Sequence, residues 1–292
     1  MTLTWPVVAA VLCAALLHAS WNALIKAGSD TALDTALIHV LGCAVGAALL
    51  AVVGLPPRAA WPWLAASLVV HVGYYIALAG AYRHGDLGLT YPIMRGSGPL
   101  LVALVLAASG GAIIDETLSL ATWLGVAGIS AGVLLVGLSR SSPGGNHRRA
   151  LQFALLNACI IAAYTIIDGI GVRASGNALQ YVALLFMLDG LPYFLLVMHR
   201  RGASARPAAW AHMRKRWPVA LMGTCASLGS YGIALWAMTR APVAAVAALR
   251  ETSVLFAVLI GTRLLKEPFG LRRAAGAACI VGGVMALRLA PA

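Results

Sequence analysis

The chain has 292 residues, 61% of them hydrophobic and 10% charged, with 31 glycines, a formal net charge of +12 and a mean hydropathy of +0.88. Soluble domains run near half apolar and about a quarter charged, so a soluble enzyme, a disordered chain and a single-anchor protein with a large soluble domain are excluded. A bilayer span takes ~20 apolar residues, and the composition points to an all-α integral membrane protein.

Ten apolar stretches are predicted as membrane helices, at 5–26, 35–55, 61–82, 87–108, 118–138, 151–172, 179–198, 217–238, 242–262 and 271–288. The first has no basic residue ahead of it in Met1-Thr2-Leu3-Thr4 and stays apolar through Leu17 to Ile25. That pattern predicts a retained span rather than a cleaved signal. Connections are short except 139–150 and 199–216. Unbroken apolar runs of this length lack the alternation of a membrane barrel. Cys13, Cys43, Cys159, Cys225 and Cys279 are scattered through apolar segments, with no CxxC and no His at ligand spacing, so no metal site and no cofactor are implied.

The positive charge is distributed unevenly. Fifteen of the 21 Lys and Arg lie in the odd-numbered connections, against Arg58, Arg173, Arg240 and Arg288 in the even ones and the C-terminus. By the positive-inside rule the odd connections are cytoplasmic and both termini face outward. The same rule accounts for the basic balance without nucleic acid as a partner.

A charged side chain near the bilayer centre costs at least ~2.5–3.5 kcal/mol on insertion scales, so each one needs a partner or a task. His18, Trp21, Asn22 and Ile25 share one stripe of the first span, a cavity wall or a set of interhelical hydrogen bonds. Tyr74 and Tyr75 in the third span correspond to Tyr231 and Trp236 in the eighth, aromatics that either stack on a substrate or pack. Arg95 in the fourth span has Tyr91 one turn away and stands among Pro92, Gly96, Gly98 and Pro99, which predicts a broken or kinked helix. Asp168 falls near the end of its span and is expected at the interface, while Asp189, beside Gly190 and Pro192, reads as a helix-break or interface residue.

Arg250 occupies the matching depth in the ninth span. The two arginines suit a carboxylate, phosphonate or similar anion held through forked hydrogen bonds; the structural alternative ties each to freed backbone carbonyls or to Glu251. Adjacent helical residues do not face each other, so Glu251 reaches Arg95 across the cavity, binds a substrate amine, or carries a proton, and it is the proton-coupling candidate. Ser97 stands between glycines, but a nucleophile elbow would need Gly where Arg95 is, which weakens an intramembrane enzyme. No Walker A pattern occurs, so direct drive by ATP is not expected.

An internal repeat organises these residues. Arg95, Glu116 and a glycine-rich helix recur in order as Arg250, Glu267 and a second glycine-rich helix; Ala15–Ala19 matches Ala154–Ala158, and Ile76-Ala77-Leu78 matches Ile233-Ala234-Leu235. The halves are 1–139 and 150–292, with five spans each. Because five is odd, the second half enters from the opposite side, giving two inverted five-helix repeats, the architecture of alternating-access transporters with a midplane substrate site. Gly128 and Gly132, with Ala278 and Gly282, allow close helix contact within the chain or in a homodimer.

The chain resembles the drug/metabolite transporter superfamily in its ten-span EamA-type branch. The residues that carry the likeness are Leu17-His18-Ala19-Ser20-Trp21-Asn22 with Lys26, Gly85-Asp86 leading to Tyr91-Pro92-Ile93-Met94-Arg95, and Glu116 or Glu267 opening the last helix of each half. The resemblance implies a central cavity walled by spans 1, 3, 4, 6, 8 and 9, which leaves Asp189 outside it. It also implies efflux of small metabolites and cytoplasmic termini, the latter against the loop charges. The expectation is a multi-pass transporter of the cell (inner) membrane that exports a small anionic or zwitterionic metabolite, an amino acid or a phosphonate or carboxylate compound. Efflux of organic cations with Glu251 as counter-charge is the alternative.

Overall fold

The computed structural model describes residues 3–84, 87–137, 147–264 and 270–289, and no strand occurs among them. The helices are α1 (Trp5–Lys26), α2 (Thr31–Val53), α3 (Trp61–His84), α4 (Leu87–Ala108), α5 (Leu120–Gly137), α6 (His147–Ser175), α7 (Ala178–Arg201), α8 (Arg206–Met238), α9 (Val243–Arg250), α10 (Ser253–Leu264) and α11 (Leu271–Leu289), with a 3-10 turn at Arg58–Ala60. Nine segments among the described residues are long and apolar enough to cross a membrane by length and composition. The stretch expected as the tenth span forms α11, whose Arg272, Arg273 and Arg288 put it outside that measure.

Local chemistry explains the boundaries. Asp30 caps α2 by accepting from the Leu33 N–H at 3.0 Å, and Asn177 caps α7 by accepting from Leu179 and Gln180. Gly202 ends α7 in the left-handed region at φ 73°, after a last turn of His199, Arg200 and Arg201 that complements the helix dipole. The connection expected over 199–216 is mostly helix, since α7 runs to Arg201 and α8 already starts at Arg206. The Arg148 and Arg149 end of the connection expected over 139–150 likewise belongs to α6.

Of the break or kink expected around Arg95, the break is not there. Helix α4 is continuous with Pro92 and Pro99 inside it, as membrane helices tolerate when neighbours satisfy the freed backbone groups. The ninth span breaks instead, between Arg250 and Ser253, without a Gly or Pro. Here the backbone tightens to i→i−3 bonds at Glu251, Thr252, Val254 and Leu255, and the Thr252 hydroxyl donates to the Leu249 carbonyl. Such a hydroxyl competes with the helical ladder for the carbonyl.

Helices pack in long antiparallel pairs. Ser230 of α8 donates to the Ala14 carbonyl of α1 and Arg216 to the Leu24 carbonyl, while His71 of α3 stacks on Tyr164 of α6 and Gly73 faces Ile160. On α2 and α7, Gln180 donates to the Val53 carbonyl and Arg201 pairs with Asp30 at the other end. Helices α5 and α11 meet through Gly125, Gly128 and Gly132 on one side and Gly276 and Gly283 on the other. The glycine face of α5 is therefore used within the chain, and its register differs from the expected one: Gly282 has nothing within 4 Å of where its Cβ would stand, and Ala278 is exposed.

Polar clamps close both ends. At one, the Arg216 guanidinium and His212 converge on buried Asp34 at 3.0 and 2.9 Å. At the other, Glu116 accepts from Arg173 and, at 2.9 Å, from the Val243 N–H that opens α9, while Arg173 Nε donates to the Met238 carbonyl at 2.9 Å. Glu116 does not open α5, which begins at Leu120; it caps α9 in the other half of the chain. Glu267, its counterpart in the repeat, lies outside the described residues.

Candidate functional site

Arg95, from the middle of α4, and Glu251, from the break after α9, meet in the interior. Arg95 Nε lies 2.9 Å from Glu251 Oε2, and the residues are only 8% and 4% exposed. The pair is close but poorly aligned for hydrogen bonding, and Arg95 Nη2 is buried with no hydrogen-bond partner among the described residues. A guanidinium has five donors in a fixed fork, so a single carboxylate oxygen leaves most of that capacity unused.

Arg250 approaches the same place from the last turn of α9. Its guanidinium carbon stands 5.0 Å from the centroid of the Tyr231 ring, a cation–π arrangement. Among the described residues no carboxylate ion-pairs with it. The cleft these groups line also takes in Pro99, Tyr164 and Thr165, and its open volume is about 10 Å³, room for about one water. The site is closed in this conformation. A larger open depression of about 680 Å³ lies elsewhere, at the junction of α7 and α8 beside Trp210, Met198 and Arg206; it is apolar and far from the interior charges.

The other expected residues divide. His18 lies within electrostatic reach of both guanidiniums, and Tyr91 within reach of Arg95 and Glu251. Trp21 packs edge-on against His18 at 5.4 Å and leaves its Nε1 buried without a partner among the described residues, whereas Asn22 donates back to the His18 carbonyl of its own helix at 2.7 Å. Tyr231 belongs to the site through Arg250. Tyr75 and Trp236 do not: Tyr75 donates to Asp189 at 3.0 Å, and Trp236 lies under Arg240 at the end of α8.

Two carboxylates depart from expectation. Asp168 does not reach the interface but is fully buried, 0% exposed, and accepts from Tyr181 at 2.9 Å and from Tyr231. Its position near a span end hid this, because the hydroxyls that hold it come from distant parts of the chain. Of the two roles expected of Asp189, the helix break is not there, since α7 continues through it and through Pro192, while its contact with Tyr75 of α3 places it between helices. It sits beside Tyr75, with Tyr193 5.4 Å from that ring and His39 5.2 Å from Tyr193.

Residues 148–289 match the EamA-like transporter family. No curated protein matches the chain. A solved crystal structure shares the fold, with a TM-score of 0.75 and 19% identity over 97% of this chain and 98% of that one. Members of the matched family are transporters rather than enzymes, and Ser97 lies outside the matched residues. With its apolar helices, the chain is a multi-pass membrane protein whose second half, residues 148–289, is similar to the EamA-like transporter family.

Proposed function

We propose that the protein is a secondary active exporter, in the cell (inner) membrane, of a small anionic or zwitterionic metabolite bearing a carboxylate or phosphonate. The observation that carries this reading is the pair of under-used guanidiniums: among the described residues Arg95 Nη2 is buried without a hydrogen-bond partner, and Arg250 rests on Tyr231 with no carboxylate ion-paired to it. A forked anion between them supplies the missing acceptors. His18, Trp21, Asn22 and Tyr91 then stand around the ligand, and Glu251 orients Arg95 from across the cleft.

Alternating access between two inverted halves, 1–139 and 150–292, is part of the proposal. It is supported by the antiparallel packing of corresponding helices, α2 with α7 and α5 with α11, and by the exchanged pairs α1–α8 and α6–α3. The closed cleft at the junction of α4 and α9 is the place such a motion would open. Loop charges put the α7–α8 connection in the cytoplasm, and a Ser204→Cys probe in a cysteine-free background should resist an impermeant thiol reagent in intact cells.

A thermal-shift screen of metabolites against the purified protein and Arg250→Gln tests the substrate class. Stabilisation by carboxylates or phosphonates in the wild type alone is expected. Stabilisation by cations, unchanged in the variant, would overturn it.

One observation favours a second reading. No Lys or Arg ion-pairs with Asp189 among the described residues, and it is flanked by Tyr75, Tyr193 and His39, a carboxylate with aromatic walls that suits an organic cation. Loss of cation efflux in Asp189→Asn, with Glu251→Gln unaffected, would support that route.

A further inference from the structure

Asp168 is the buried carboxylate that anion binding leaves without a task. It lies two turns before the end of α6, and no Lys or Arg ion-pairs with it among the described residues. Its surroundings are hydroxyls from three other helices: Tyr181 of α7 donates to Oδ1, Tyr231 of α8 to Oδ2, and Ser67 of α3 joins them. His71, one turn beyond Ser67, donates from Nδ1 to the Ser67 carbonyl at 2.8 Å and stacks on Tyr164 at 4.7 Å. Tyr164 is itself a wall of the cleft that holds Arg95, Arg250 and Glu251.

The chemistry of that shell differs from the chemistry around Glu251. A hydroxyl donates to a carboxylate or accepts from a carboxylic acid, so a shell of hydroxyls satisfies both protonation states by rotating. A guanidinium only donates, and the Arg95 contact suits an ionised Glu251 alone. Tyr231 adds the link to the site: its hydroxyl holds Asp168 while its ring lies against Arg250.

We propose that Asp168 is a proton-binding site of the transporter, coupled through Tyr231 to the arginine that holds the anion. Ionised Asp168 is the counter-charge of Arg250 across one ring. Protonation removes it and frees Arg250 for an anion, and linkage makes the effect reciprocal, so anion binding favours proton uptake. This second half rests on the anion reading; the proton site itself does not. The other groups facing Asp168 are His71 from α3, Tyr181 from α7, Tyr164 on α6 and, beyond them, Arg95 of α4, which is engaged with Glu251. Arg58 of the 3-10 turn is exposed. Ser67, His71 and Tyr164 occupy the space between Asp168 and the cleft.

Infrared difference spectroscopy of the full chain in lipid vesicles, titrated with acid without any ligand, tests the proposal. A protonated-carboxyl band should appear in one pH transition in the wild type, persist in Glu251→Gln and Tyr181→Phe, and vanish in Asp168→Asn. Arg250→Gln should retain the band and move its transition to higher pH, because a nearby cation has been removed. A band that survives Asp168→Asn, or that disappears in Glu251→Gln, overturns the proton site. A transition unmoved by Arg250→Gln overturns the coupling. None of these readouts depends on an anion binding, so a failed metabolite screen is a separate result.

Discussion

The Arg95 guanidinium of α4 and the Glu251 carboxylate at the end of α9 meet at 2.9 Å, joining the fourth span to the break in the ninth. Each side chain is nearly inaccessible, so each is the other's principal compensation for leaving water. Truncating one partner of a buried pair typically costs about 3–5 kcal/mol, because the other charge stays buried and unpaired. Arg95→Ala and Glu251→Ala should each lower stability by that order. The double variant should be less destabilised than their sum by about 0.5–3 kcal/mol. Additive losses in detergent unfolding would show that the pair is not formed in solution.

Glu116 holds the opposite half of the chain by capping α9 and pairing with Arg173. Loss of a helix N-cap costs ~1 kcal/mol, with the range ~0.5–2. Glu116→Gln keeps an acceptor for the Val243 N–H but removes the charge that Arg173 meets. Thermal unfolding should rank wild type above Glu116→Gln, and Glu116→Gln above Glu116→Ala. Equal midpoints for the two variants would assign the whole effect to the ion pair with Arg173 and none to the cap.

Helices α5 and α11 approach closely enough that a Cβ on Gly132 would stand 2.6 Å from the Gly276 carbonyl oxygen and 2.8 Å from the Ile280 nitrogen. Backbone cannot move aside as a side chain does, so Gly132→Ala should destabilise by about 1–3 kcal/mol, the usual range for overpacking. Gly282→Ala, with nothing within 4 Å, is the matched control and should be neutral. Equal effects on the unfolding midpoint would contradict the register.

Asp30 lies in the connection before α2. Burial pushes its carboxyl up, but the Leu33 N–H and Arg201 outweigh that and hold it below the usual carboxylate range. A carboxyl depressed on folding contributes stability that is present above its unfolded value and lost as pH falls through the folded one. Asp30→Asn should therefore lower the unfolding midpoint at neutral pH, and the gap to wild type should close in acid. A gap that persists at low pH would assign the effect to capping alone.

The interior charges were legible because apolar runs isolate them: Arg95, Arg250 and Glu251 are conspicuous within their spans, and the structure gathers them. The order of the helices was legible for the same reason. What local pattern could not carry was long-range partnership. Asp168 looks peripheral until Ser67, Tyr181 and Tyr231 arrive from three other helices. Pro92 and Pro99 signalled a break that membrane packing overrides, while the actual break has neither Pro nor Gly. Its available signal was Thr252, whose hydroxyl competes for the Leu249 carbonyl.

The role proposed for Arg250 is to bind the transported anion beside Arg95. Counterflow in proteoliposomes loaded with a carboxylate or phosphonate that stabilises the wild type tests it most directly. Exchange by the wild type and its loss in Arg250→Gln are expected, with Gly282→Ala exchanging normally. Undiminished exchange by a folded Arg250→Gln protein would contradict it.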